Sequence, residues 1–169
     1  MSALRMKFLA AGALALAVLP GRTEAQGRSP NALSGVRSVT VLLERTSPST
    51  LTAGVDTAAL RARAEAAVLR AGLTVVPPSA RDSANGVLYL NVFSATNAQR
   101  DWHAAHVEVE LMQPVTIDRK PDARLYATTW QAPVRLRVVR ATELRAEVDN
   151  VIGAMLEEFT RAWAAANGR

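Results

Sequence analysis

The carboxyl-terminal segment, residues 142–167, constrains the fold of this chain more than any other segment. Its apolar residues recur every three or four positions, which predicts a long helix with one apolar stripe. Such a helix packs one side against another layer and keeps the other side in water. Gly168 follows it and is typical of a helix end. The stripe consists of Leu144, Val148, Val151, Ile152, Met155, Phe159 and Trp163.

Alternating apolar and polar residues predict the strands against which this helix packs. Three such segments follow one another at residues 87–95, 106–117 and 125–139. An earlier β-rich segment spans residues 36–44, and residues 73–76 are expected to add a short strand. The last three segments are expected to form an antiparallel meander, and the first segment allows a parallel crossover.

A loop rich in serine, threonine and proline is expected at residues 46–54. A second helix is predicted after it from Asp56 or Thr57, as the capping residue, to Ala71. Gly72 is expected to end it in the left-handed conformation. The order β-α-(β)-β-β-β-α gives an α/β (α+β) fold, a two-layer sandwich. In it, a mixed, mostly antiparallel sheet of four to five strands carries two helices on one face. Residues 26–35 are expected to be a flexible lead-in, and residues 36–169 a single domain.

The last predicted hairpin turns around residues 121–124, and one register matches apolar with apolar and acid with base. Because side chains alternate between faces, a slip of one residue would destroy both patterns. Pro114 and Pro133 predict a bulge or an edge midway along these strands. The pairs are Val107 with Val138, Val109 with Leu136, Leu111 with Val134 and Val115 with Trp130, and on the other face Glu108 with Arg137 and Glu110 with Arg135.

The preceding hairpin is expected to turn near residues 99–100 and to pair Val92 with Val107, Leu90 with Val109 and Leu88 with Leu111. Together the two registers assign one face of the sheet to the helices and leave the other open. The helix-covered face would hold Leu88, Leu90, Val92, Val107, Val109, Leu111, Leu136 and Val138. The open face would hold Tyr89, Asn91, Phe93, His106, Glu108, Glu110, Arg135 and Arg137.

Residues 1–25 have the pattern of a secretory signal peptide. A positive start with Arg5 and Lys7 precedes an apolar run at residues 8–19, which is shorter than the about 20 residues of a membrane span. Cleavage is expected after Ala25, so we expect a periplasmic or secreted protein without a transmembrane anchor. The chain has no cysteine, which excludes disulfides and a lipid anchor through cysteine.

The formal charge of +5 is too mild, and its arginines too scattered, to favour nucleic acid as a partner. No nucleophile elbow, zinc-protease, phosphate-loop or dinucleotide motif occurs in the sequence. We therefore expect a non-enzymatic binding or adaptor protein of the bacterial cell envelope, with no cofactor. Its partner would be an envelope protein or an anionic envelope component.

Both histidines of the chain fall in residues 101–108, which leaves two alternatives open. His103, His106 and Glu108 carry groups that bind zinc or exchange protons, as in a small metal-binding protein or hydrolase. Their spacing is a weak metal signature, so we assign no metal site to them. A third alternative, a small-ligand carrier, would need an enclosed apolar cavity between sheet and helices.

The open sheet face is the expected partner-binding surface, since contact hot spots favour aromatic and arginine side chains. For Tyr89 and Phe93 the competing interpretation is that a loop or the lead-in covers them. Trp102 could instead pack onto the end of the sheet, and the two arginines could simply pair with Glu108 and Glu110. The candidates are Tyr89, Phe93, Trp102, His106, Arg135 and Arg137.

The pattern of residues 36–167 resembles a group of small bacterial envelope domains. The resemblance rests on Arg-Ala-Gly-Leu-Thr-Val-Val at residues 70–76 and Asn-Gly-Val-Leu-Tyr-Leu-Asn-Val at residues 85–92. The group includes the amino-terminal domain of the Tol system's periplasmic propeller protein and small accessory lipoproteins of the outer membrane. The resemblance implies an α/β domain acting as a non-enzymatic adaptor. This chain differs in lacking a lipobox cysteine and a visible second domain, and the resemblance assigns no functional residue.

Overall fold

A computed structural model describes residues 30–169 of the chain. The predicted signal peptide and residues 26–29 of the predicted lead-in therefore lie outside the described residues. The strands are β1 (Ser38–Leu43), β2 (Thr74–Val75), β3 (Gly86–Thr96), β4 (Trp102–Ile117), β5 (Lys120–Gln131) and β6 (Arg135–Arg140). The helices are α1 (Pro48–Thr52), α2 (Thr57–Ala71) and α3 (Leu144–Ala166).

The strands form one six-stranded mixed sheet in the order β2-β1-β3-β4-β5, with β6 also paired to β4. The strand β1 runs parallel to β2 and β3, whereas β3 to β6 pair antiparallel. Both α2 and α3 pack on one face, where they bury Val39, Val41, Leu90 and Val109. The fold is therefore the expected α+β sandwich of a mixed sheet and a helical layer.

Both long helices follow the sequence pattern. All seven predicted stripe residues of α3 are buried, because this stripe faces the sheet. The backbone N–H of Ala59 donates to the Asp56 carboxylate at 3.0 Å, which caps α2. Gly72 ends α2 in the left-handed conformation at φ 96°, and Leu73 beside it is buried. These predictions are confirmed.

The register of β3 with β4 is also the predicted one, with Leu88 opposite Leu111 and Val92 opposite Val107. The predicted register of the last hairpin is wrong. The segment at residues 125–139 is not one strand, because residues 132–134 separate β5 from β6 along the same edge of β4. Pro133 lies in this break, in agreement with the effect expected of a proline.

Two irregularities of one residue each change which face the last strands present. Leu111 lies opposite Trp130, whereas Met112 lies opposite Thr128, so Thr129 is an extra residue in β5. A second extra residue falls between Gln131 and Arg135. After it, Val107 lies opposite Arg135 rather than Val138. Each bulge moves the following side chains to the opposite face.

The predicted faces are therefore wrong for β6. Leu136 and Val138, expected under the helices, lie on the open face, while Arg135 and Arg137 lie on the helix side. Trp130 lies between the two bulges on the helix side, where it is 4% exposed and its ring centroid lies 5.2 Å from that of Phe159. The bulge after Gln131 then turns β6 so that Leu136 and Val138 lie on the face opposite to Trp130.

Two segments expected to be irregular contain short helices. Pro30–Leu33 is a 3₁₀ turn whose Leu33 is fully buried, so this part of the predicted lead-in packs against α3. The predicted loop at residues 46–54 contains α1, whose capping residue is Ser47. Proline at the first helical position and serine at the cap are the local reason for this helix.

Candidate functional site

One end of the open sheet face carries a contiguous group of exposed apolar side chains. Phe93, His106 and Leu136 lie side by side across β3, β4 and β6. One step further towards the strand ends, Val138 lies opposite Ala104, and beyond it Trp102 lies opposite Arg140. We define the apolar patch as Phe93, Trp102, Leu136 and Val138.

The exposure of these side chains is unusual for their size. Leu136 is 66% exposed, Val138 67%, Phe93 51% and Trp102 42%. Full burial of a large apolar side chain contributes about 1.5–3 kcal/mol, and the isolated chain realises only part of this at each of the four positions. Single exposed apolar residues are ordinary, whereas a contiguous group on one sheet face marks a contact surface.

Within residues 30–169, a loop covers only the opposite end of this sheet face. The 3₁₀ segment Pro78–Ser83 packs against β1, and the Arg81 guanidinium carbon lies 5.9 Å from the centre of the Tyr126 ring. On this side Thr40 and Val87 are buried. Tyr89 is half-buried, as is His106, whereas Phe93 stays exposed. Among residues 30–169, the interpretation that a loop covers both aromatic residues therefore fails for Phe93.

The predicted ladder of two acids with two arginines does not form. Glu108 accepts a hydrogen bond from the Gln131 amide, and Glu110 accepts one from the Thr128 hydroxyl. Arg137 pairs instead with Glu147 of α3 at 2.8 Å. The two acids stay on the open face, and the bulge that turns β6 over removes Arg135 and Arg137 from it.

Trp102 does not pack onto the end of the sheet. It begins β4 on the open face, and the guanidinium carbon of Arg140 lies 5.5 Å from its ring centre. This cation–π contact holds the indole beside the other apolar side chains of the patch. A cationic rim next to an exposed aromatic residue is a common composition of contact surfaces.

The histidines lie on opposite faces of the sheet. His106 and Glu108 belong to the open face, whereas His103 is buried on the helix side, 4% exposed. Residues an odd number of positions apart in a strand point to opposite faces, so these three side chains do not converge. Among residues 30–169 no group of three or more metal-ligating side chains is brought together.

His103 instead ends a chain of buried hydroxyl groups. Its Nδ1 lies 3.0 Å from the Ser94 hydroxyl, which lies 2.7 Å from the Thr50 hydroxyl, which lies 2.7 Å from that of Ser47. Ser94 and Thr50 are almost fully buried. This cluster has no signal in the sequence, since its members come from α1, β3 and β4 and share no motif.

A pocket of about 300 Å³ lies beside this cluster, between α1, the β3–β4 turn and the residue that follows β6. Unlike the cavity expected of a ligand carrier, its lining combines apolar, hydroxyl and basic side chains. We call it the His103 pocket. It is lined by Pro48, Ser49, Thr52, Ala53, Thr96, Arg100, His103 and Ala141.

Comparison with known proteins gives a distant structural neighbour. No protein-family model and no curated protein matches the chain. The chain is similar to a PelC dodecamer from Paraburkholderia phytofirmans at 15% identity and a TM-score of 0.41, over 76% of this chain and 88% of that chain. No helix within residues 30–169 has the length and hydropathy needed to cross a membrane.

Proposed function

We propose that this chain is an exported binding protein that holds an extended segment of a partner protein against β6 and the apolar patch. The observation that carries the proposal is the exposure of Leu136 and Val138 beside Phe93 on an uncovered sheet face. A partner that covers these side chains recovers the free energy that the isolated chain leaves unrealised.

The strand β6 offers a backbone edge as well as side chains. Within residues 30–169 it pairs with β4 alone, so its outer edge is unpaired. The Leu136 carbonyl accepts a hydrogen bond from Arg137 Nη1 at 3.1 Å rather than from another strand. An extended partner segment could add to this edge and place every second side chain on the patch.

Charge favours an acidic partner over a second copy of this chain. A second β6 would offer no acidic side chain to Arg135 or Arg140, because the strand contains none. No ion pair engages Arg135 among the described residues, and Arg140 borders the patch. A segment that alternates apolar and acidic residues complements both faces of β6.

Fluorescence anisotropy with a labelled peptide of alternating valine and aspartate tests this proposal. A peptide of alternating valine and lysine is the matched probe. We expect the acidic peptide to bind at least about tenfold more tightly than the basic one, since the basic peptide meets arginines. Replacing Leu136 and Val138 together with serine is expected to weaken binding by at least about tenfold.

The matched control is Leu69→Ser, which removes an exposed leucine of α2, 56% exposed, far from β6 in the fold. This variant should bind the acidic peptide like the parent protein. Equal binding of both peptides, or unchanged binding by the double serine variant, would contradict the proposal. Concentration-dependent dimers in sedimentation, lost in the double variant, would identify a second copy as the occupant instead.

A further inference from the structure

The His103 pocket lies on the helix side of the sheet and has no part in the binding surface proposed above. Its hydroxyl groups are already engaged as donors within the protein. Thr52 Oγ1 donates to the Pro48 carbonyl at 2.9 Å, and Thr96 Oγ1 to the Trp102 carbonyl at 3.0 Å. Ser49 Oγ donates to the Ser94 carbonyl at 3.1 Å. The side-chain donors left for a ligand are therefore those of Arg100 and His103.

The hydroxyl chain fixes which nitrogen of His103 faces a ligand. Because Nδ1 is hydrogen-bonded to Ser94, the ring nitrogen left for the pocket is Nε2. In one direction of the hydroxyl chain, Ser47 donates to Thr50, Thr50 to Ser94, and Ser94 to Nδ1. Nδ1 is then an acceptor, and the imidazole proton lies on Nε2. In the reverse direction Nδ1–H donates to Ser94, and Ser47 at the other end donates to the Ser94 carbonyl at 3.2 Å, so the cluster is satisfied in both tautomers. A carboxylate at Nε2 selects the tautomer with the proton on Nε2.

The β3–β4 turn holds Arg100 at the rim of the pocket. Arg100 has φ 60°, in the left-handed region that residues other than glycine rarely adopt. Asn97 holds the turn, with its carbonyl accepting from the Arg100 N–H at 3.0 Å and its Oδ1 from the Asp101 N–H at 3.1 Å. No acidic residue lines the pocket, and within residues 30–169 no ion pair neutralises Arg100.

From this geometry we infer that the His103 pocket binds a small organic carboxylate. The Arg100 guanidinium can donate a hydrogen bond to each carboxylate oxygen, and Nε2–H of His103 can donate a third. The apolar side chains of Pro48, Ala53 and Ala141 would contact the body of the acid. A volume of about 300 Å³ is at the small end of ligand pockets, so the acid has a short chain or a single ring.

Proton NMR of the imidazole rings during titration with benzoate tests this inference. The chain has two histidines, and His106 on the open face serves as an internal reference. We expect benzoate to shift the His103 signals in a saturable manner and to leave those of His106 unchanged. Benzamide, which has the same ring and no charge, should bind at least about tenfold more weakly. Shifts of equal size and midpoint with benzamide would overturn the inference.

Arg100→Gln is the variant of choice, because Arg100 is exposed and its loss leaves the buried cluster intact. It should weaken benzoate binding by at least about tenfold, whereas Arg119→Gln in the exposed β4–β5 turn should leave it unchanged. Unchanged binding by Arg100→Gln would overturn the inference. Tighter binding of inorganic phosphate than of benzoate would also overturn it, since phosphate has no apolar body to contact the alanines.

Discussion

The Arg137 guanidinium lies 2.8 Å from the Glu147 carboxylate, on the face of the sheet that packs against α3. This pair fixes the orientation of β6, because an arginine on the helix side requires its neighbours Leu136 and Val138 on the other side. The exposed patch and the ion pair are thus two consequences of one bulge. Substitutions in the ion pair and substitutions in the patch therefore both test the register of β6.

A double-mutant cycle measures that register. Arg137→Ala and Glu147→Ala are expected to show a coupling free energy of about 0.2–1 kcal/mol, since both side chains are partly exposed. The cycle of Arg137→Ala with Glu108→Ala should show none, because these residues do not pair. Urea denaturation supplies the free energies of unfolding. Coupling of Arg137 to Glu108 rather than to Glu147 would contradict the observed register and support the register without bulges.

Trp130 and Trp102 differ sharply in their expected contributions to stability. Trp130→Ala removes a buried indole from its edge-to-face contact with Phe159 and should lower the free energy of unfolding by about 3–5 kcal/mol. Trp102→Ala removes an exposed indole whose cation–π contact is worth about 0.5–1 kcal/mol. Similar losses for the two variants, measured by urea denaturation, would contradict the assigned faces.

The fold could be predicted from sequence where local signals and long-range packing agree. The stripe of α3, the caps of α2 at Asp56 and Gly72, and the β3–β4 register are cases of this kind. Pro133 predicts a bulge or an edge at this point, but the sequence does not show which face β6 presents after it. A one-residue insertion has no signal of its own when Arg-Leu-Arg-Val alternates equally well in either register. In the observed register Arg137 pairs with Glu147 of α3, and this contact is visible only in three dimensions.

The buried hydroxyl chain should be sensitive to loss of its central member. Ser94→Ala leaves the Thr50 hydroxyl and Nδ1 of His103 without the partner they share. We expect a loss of about 1–3 kcal/mol in the free energy of unfolding, the cost of burying polar groups unpaired. Thr128→Ala, which removes an exposed hydroxyl bonded to Glu110, is the control and should change it by less than about 1 kcal/mol. Equal losses in the two variants would show that the hydroxyl chain makes no specific contribution to the free energy of unfolding.

Because the chain has no cysteine, single-cysteine variants report exposure without background. The thiols of Leu136→Cys and Val138→Cys are expected to react with iodoacetamide at nearly the rate of a free thiol. Val109→Cys, at a buried position of the helix-covered face, should react at least about a hundredfold more slowly, because it requires unfolding. Protection of positions 136 and 138 in the isolated protein would mean that another segment already covers them.

The candidate sites were only partly foreseeable. The β3–β4 register predicts Phe93 on the open face, and the structure places it there. For Trp102 the sequence indicates only a contact candidate near a hairpin, and the structure places it on the same face. Leu136 and Val138 were assigned to the core because their apolar character is the usual sign of burial. The environment of His103 depends on α1, whose Ser/Thr-rich sequence resembles a loop. In both cases the missing information was a tertiary contact rather than a motif.

The most direct test of the proposed binding surface is an amide NMR titration of the protein with the alternating valine–aspartate peptide. The account predicts shifts that saturate and map to β6 and to the adjacent residues Phe93 and Trp102, with the amides of α2 unaffected. It also predicts that these shifts disappear when Leu136 and Val138 are both serine. Saturable shifts centred on α2 and α3, or an unperturbed β6, would contradict it.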